Sequence, residues 1–179
     1  MGCCSKWICN GCCYAKQKRE IEEGLEQRCP FCRESAPDTD EEHINRVIER
    51  VKKNDPVATG YLGKKHSAKN DYGKALEYWT KAAELGDVEA HCCLGGMYYY
   101  GMGVKKDEEK AAYHLEKAAI GGHPQARALL AAREMKNNRF DRAVKHNIIA
   151  ANLGFEPSLK AVKSLYSEGI ASKEDYAAA

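Results

Sequence analysis

The feature that most constrains this chain is that it repeats itself. The segment KALEYWTKAAELG (74–86) returns as KAAYHLEKAAIGG (110–122), displaced by 36, and as RAVKHNIIAANLG (142–154), displaced by 32 more. The preceding segments repeat too: VATGYLGKKH (57–66), EAHCCLGGMY (89–98) and QARALLAARE (125–134), displaced by 32 and then 36. Ala58, Ala90 and Ala126 are therefore equivalent, as are Leu62, Leu94 and Leu130. Two more alanine sets, 75/111/143 and 83/119/151, share the register. The extra four residues of the middle unit fall in YYGMGVKKD (99–107), between its halves. A chain of unrelated helices would not hold identities at this period, which is diagnostic of stacked repeats.

Each unit reads as helix, turn, helix. Small residues at fixed positions let helices approach closely, and Gly86, Gly122 and Gly154 stand where a left-handed residue closes a helix. A single helical pair cannot bury its apolar face, so about three must share a core. The boundaries predicted are 55–86, 87–122, 123–154 and a partial fourth unit over 155–179. The fold expected is mainly α, an α-solenoid carrying a small N-terminal Cys-rich module.

That module occupies residues 1–34, and 35–54 form a linker and connecting helix. Thr39 and Glu42 make a capping-box pattern, and Ile44, Val47, Ile48 and Val51 form one apolar stripe over 40–53. Seven of the nine cysteines lie in residues 1–32, as Cys3, Cys4, Cys9, Cys12, Cys13, Cys29 and Cys32. No secretory apolar region precedes them, and no apolar run approaches a transmembrane length. The expected setting is a reducing one, intracellular and either cytoplasmic or nuclear, where clustered cysteines bind metal more often than they form disulfides. An acylated N-terminus is disfavoured because Lys6 stands where a myristoylation signal wants Ser or Thr. A formal charge of +2 gives no reason to expect nucleic acid or a membrane as partner.

Cys9-x2-Cys12 and Cys29-x2-Cys32, separated by sixteen residues, have the spacing of a four-thiolate Zn2+ site. The intervening YAKQKREIEEGLEQR reads as helical, its KREIEEGLEQR portion as a solvated face. His91, Cys92, Cys93 and His114 read as packing residues, and His114 and His146 are equivalent to Tyr78. Of the run Tyr98–Tyr100, Tyr98 is expected in the core, with Tyr99 and Tyr100 on the solenoid surface as candidate partner contacts. No catalytic triad, phosphate loop or carboxylate pair is present.

Two family resemblances follow. The middle unit resembles a Sel1-like repeat at Ala90, Leu94-Gly95, Tyr98, Gly101-x-Gly103-Val104, Asp107, Lys110-Ala111 and Lys117-Ala118-Ala119; the first unit is equally similar to a tetratricopeptide repeat. Both families form α-solenoids that act as interaction scaffolds. The segment CCSKWICNGC…CPFCR resembles the later three quarters of a RING finger, with Cys4, Cys9, Cys12, Cys29 and Cys32 matching five of its zinc ligands. That resemblance implies that Pro30 and Arg33 contact a ubiquitin-conjugating enzyme, and that the chain is a RING-type ubiquitin ligase whose repeats recruit substrate. Lys6 stands where the fourth ligand belongs, and a protonated amine cannot coordinate zinc. Cys3 could substitute. The first CxxC pair of the family has no counterpart after Met1, so three outcomes stay open: an upstream CxxC, a re-paired site of Cys9, Cys12, Cys29 and Cys32, or a vestigial segment beside a repeat-only adaptor. The function expected is a zinc-binding protein–protein interaction scaffold.

Overall fold

The computed structural model describes residues 10–25, 28–29, 35 and 39–179. Ten helices follow one another among them: α1 (Asn10–Glu22), α2 (Asp40–Lys52), α3 (Pro56–Ser67), α4 (Tyr72–Glu84), α5 (Val88–Tyr100), α6 (Glu108–Ile120), α7 (Pro124–Lys136), α8 (Phe140–Asn152), α9 (Glu156–Ser167) and α10 (Lys173–Ala177). The pairs α3/α4, α5/α6 and α7/α8 pack most extensively, and each pair leans on the next. This is the right order for a solenoid of helix–turn–helix units.

The helix ends explain the regularity. Asp55, Asp87, Asp71 and Asp107 each accept a backbone N–H of the turn they precede, satisfying donors that a helix cannot satisfy itself. At the far ends of α2, α4, α6 and α8, residues Asn54, Gly86, Gly122 and Gly154 take φ of +55°, +88°, +83° and +85°. These four are equivalent in register. Asn and Gly are the residues that tolerate this left-handed closure.

The core runs within the units and continues between them. Trp79, Ala82, Ala90, Leu94 and Met97 join the first unit to the second. Cys92, Leu115, Ala118, Ala126 and Leu130 join the second to the third. Within each unit, a small residue of the first helix faces one side chain of the second. A Cβ on Gly63 would stand 2.5 Å from Trp79, and one on Gly95 would stand 2.6 Å from Leu115. The third unit has Ala131 and Asn147 at the same positions, so the contact residue grows as its partner shrinks.

Helix α2 is more than a connector. Val47 has the register of Trp79, Leu115 and Asn147, and it is buried against Ala58 and Leu62. Thr39 occupies the register of the cap residue Asp71 and accepts from Glu42 N at 3.1 Å. α2 is thus the second helix of an additional half-unit. Arg46 of α2 donates to the Ser35 carbonyl at 2.6 Å, which ties the helix to the preceding segment.

Helix α1 differs from expectation at both ends. It starts at Asn10, so Cys12 lies in its first turn, and it stops at Glu22 instead of continuing to Arg28. Gly24 takes φ +63° just beyond, a conformation that ends a helix. Arg28 and Ser35 form an isolated antiparallel bridge. The charged run is not solvated throughout, because Glu20 is buried. No helix among the described residues is long and apolar enough to cross a membrane.

Candidate partner-binding site

The three consecutive tyrosines end α5, where successive residues point about 100° apart, so they cannot share one environment. Tyr98 is half-buried rather than in the core. Its ring stacks on His114 at 5.9 Å and 8°, with the Lys110 ammonium 5.4 Å from the ring centre. The register that suggested a core position belongs to a rim pair present in every unit. His66 stacks on Tyr78 in the first unit at 5.3 Å, and the third unit has Glu134 and His146 at the same two register positions. Tyr113 meets His114 edge-on and carries Lys117 over its face. Tyr99 is half-buried beneath Lys106, 5.8 Å away, and meets Tyr100 edge-on at 4.9 Å. Tyr100 is 61% exposed and Met102 beside it 40%. The turn that follows is longer than its counterparts and packs back on the first unit, since Gly103 lies against Tyr72.

His91 and His114 face each other with Nδ1 atoms 3.0 Å apart. One ring must donate and the other accept, so the pair is satisfied when both are neutral. Burial lowers the pKa of both, His114 to about 4, with its neighbour His91 adding to the shift. The expectation of a packing role holds for Cys92, which lies in the core, while Cys93 is half-buried and burial pushes its thiol up to about 12. Cys93 is not a reactive thiolate on that account.

The first helices are joined by a second polar chain. Lys64 of α3 pairs with Glu89 of α5 at 2.9 Å, and the other Glu89 oxygen lies 3.1 Å from His123 Nε2. His123 and Lys64 together hold the Glu89 carboxyl at about 2. His123 has the register of the caps Asp55 and Asp87, and its Nδ1 faces Ala126 N at 3.4 Å. That cap needs a neutral ring. Cys92 and Glu89 raise His123 to about 9, so at neutral pH the charge-assisted bond to Glu89 wins over the long cap contact.

The third unit holds residues that sequence reasoning missed. Glu134 is buried, at 2% exposure, on the α7 face toward α8. Arg133, Arg139 and Arg142 surround it at 3.7, 3.5 and 3.7 Å, too far for hydrogen bonds. Glu134 Oε2 is without a hydrogen-bond partner, as are His146 Nδ1 and Ser158 Oγ. Arg139 stands at the cap position held by Asp71 and Asp107, and no side chain caps α8. The available signal was the break in register: Arg replaces Asp at 139 and Ser replaces Ala at 158.

The sequence-predicted metal residues fall mostly elsewhere. Cys3, Cys4, Cys9, Cys32, Pro30 and Arg33 lie outside the described residues, and of Cys12 the structure gives the helix position. Cys29 is half-buried beside the Arg28–Ser35 bridge. Among the described residues no group of three His, Cys, Asp or Glu is arranged to hold a metal ion.

The fold and this surface define a class, helical-repeat proteins, and comparison narrows it. Residues 59–87 and 88–123 match the Sel1 repeat. Protein sel-1 homolog 2 of Mus musculus is 46% identical over 52 residues, 29% of this chain and 8% of that protein. The ERAD-associated E3 ubiquitin-protein ligase component HRD3B of Arabidopsis thaliana is 43% identical over 72 residues, 40% of this chain and 12% of its own length. The chain thus spans about a tenth of these curated relatives. Among solved structures, a Sel1 repeat protein from Oxalobacter formigenes superposes with a TM-score of 0.69 at 22% identity, covering 91% of this chain and 67% of that one. The c5321 antigen of uropathogenic Escherichia coli gives 0.68 at 21%, covering 92% and 35%. Residues 59–123 are thus similar to Sel1 repeats, and the fold of the chain is the α-solenoid of those solved structures.

Proposed function

We propose that this chain is an adaptor whose solenoid binds a protein partner along the turn edge of the middle unit. The observation that carries the reading is the exposed Tyr100, braced edge-on by Tyr99, which is itself packed under Lys106. A rigid aromatic with its neighbours already ordered loses little entropy on burial and suits a contact residue. A photo-crosslinking residue at position 100 should capture a discrete protein adduct in cells, whereas one at Glu156 should not. Equal capture at both positions would remove the support for this surface.

The same reading extends to the N-terminus. Cys9, Cys12, Cys29 and Cys32, with Cys4 and Cys3 as further ligands, are proposed to hold Zn2+, and Pro30 and Arg33 to meet a ubiquitin-conjugating enzyme. The RING-like spacing supports this, as does the likeness of the repeats to a component of an E3 ubiquitin ligase. The RING would act by holding the charged enzyme in a reactive geometry, with no covalent intermediate of its own. An intracellular setting accompanies this proposal. Metal analysis of the purified chain should find one or more zinc per protein, and Arg33→Ala should slow ubiquitin discharge. A zinc-free chain that keeps its N-terminal structure would sink the metal site and the ligase together.

A further inference from the structure

Three junctions between units can be compared at one register. In the first, Gly60 of α3 faces Asp87, the cap of α5, and a Cβ at Gly60 would collide with that carboxylate. The third junction has Ala128 and Phe155 at these positions. The second has Cys92 and His123. Gly and Ala therefore satisfy the packing, and the middle junction carries a thiol and an imidazole that packing does not require.

Glu89 and Cys92 lie one turn apart on α5, on one face of the helix. Both reach His123, the first residue of the next unit's cap. Glu89 Oε2 lies 3.1 Å from His123 Nε2, and the Cys92 thiol is hydrogen-bonded to the same ring. Lys64 pairs with the other Glu89 oxygen at 2.9 Å. The carboxylate thus orients the imidazole while its own charge is balanced away from the sulfur. A thiol, an imidazole and a carboxylate in series is the arrangement that activates a cysteine. Cys93 points about 100° away around the helix and has no such partner ring.

Cys92 is 5% exposed, which shuts out a protein thiol or a bulky electrophile. Hydrogen peroxide is little larger than water. We propose that Cys92 is a peroxide-reactive thiol, activated by His123 and Glu89, and that its oxidation loosens the junction between the second and third units. The sulfur attacks one peroxide oxygen and the O–O bond breaks. The electron pair leaves on the other oxygen, which takes the thiol proton by way of His123. The products are a Cys92 sulfenic acid and water. Cys93 is poorly placed to resolve it, since adjacent Cα atoms lie about 3.8 Å apart and a disulfide usually spans about 4.4–6.8 Å. The added oxygen enters a cluster already filled by Leu115, Ala118, Ala126 and Leu130.

The test exposes the full chain to hydrogen peroxide with dimedone and locates the tag by peptide mass spectrometry. That readout separates Cys92 from Cys93 and from the seven cysteines of residues 1–32. Cys92 should carry the tag and Cys93 should not. His123→Asn should lower Cys92 tagging about tenfold, equivalent to 1.4 kcal/mol, while still capping α7. Glu89→Gln, of nearly the same shape, should lower it as well. Hydrogen exchange in α7 should quicken after peroxide in the parent but not in Cys92→Ala, which carries the residue found at 128. An untagged Cys92, equal tagging of Cys93, or undiminished tagging in both folded variants would overturn the reactive site. Tagging with unchanged exchange in α7 would overturn the loosening.

Discussion

Gly95 and Gly96 are adjacent in α5, yet the structure assigns them opposite roles. A Cβ at Gly95 would stand 2.6 Å from Leu115 Cγ and 3.2 Å from its backbone nitrogen, whereas one at Gly96 would meet nothing within 4 Å. Ala is favoured over Gly in a helix by about 0.5–1 kcal/mol, and overpacking a core costs about 1–3 kcal/mol. Leu115 is wholly buried and has nowhere to swing, so the clash wins at 95. Gly95→Ala should therefore destabilise by about 1–2 kcal/mol and Gly96→Ala should stabilise by about 0.5 kcal/mol, as read from urea unfolding. Destabilisation by both would mean that the helix packing is wrong. Ser158 supplies a second case. It fills an alanine register, is 1% exposed, and its hydroxyl has no partner. Ser158→Ala should raise stability by about 1 kcal/mol, and a lower melting temperature would show that the hydroxyl is satisfied after all. The repeat alignment makes these substitutions legible in sequence. It does not reveal that Glu134 is buried, because a Glu near a helix end ordinarily faces water.

At the scale of elements, the helix pairs are sensitive to acid. His114, His91 and His146 all have pKa values lowered mainly by burial. A histidine depressed in the folded state contributes stability above its unfolded value, near 6.5, and loses it as pH falls toward the folded value. For His114 that window runs from about 6.5 down to about 4. The loss should be about 1–2 kcal/mol after allowance for its partial exposure. Thermal melts of the parent should drop across this window, and His114→Asn should flatten part of the slope. An unchanged slope would place the acid sensitivity elsewhere. His123 has the opposite sign, since its raised value makes it stabilising at neutral pH and lost as pH climbs through about 9. Most helices were readable from apolar spacing, Asp caps and terminal Gly. The register of α2 was not, because a half-unit has no first helix to align with. Tyr98 misled because repeat position fixes where a side chain sits, whereas its depth depends on the partner across the pair.

The whole molecule is held by interfaces between neighbours, so damage at one end should stay there. Val144, Leu165 and Ala171 form a cluster with Met135, Ile148 and Ile170, which joins the third unit to α9 and the segment after it. Ending the chain after Gly154 would expose the outer side of α7 and α8. Hydrogen exchange should then accelerate in those two helices and remain slow in α3 to α5. Uniform acceleration along the chain would indicate a single cooperative body instead. The solenoid was legible from periodicity alone, since only stacking buries such units.

Asn54, Gly86, Gly122 and Gly154 close four helices in one conformation at one register. They amount to interchangeable joints. The stretch from Asp87 to Gly122 begins and ends at such a joint, and the helices on either side offer it matching faces. A lineage could therefore lengthen or shorten this protein by whole units without inventing a new junction. Each duplication would add one more helix pair, with its run of tyrosines, to the row.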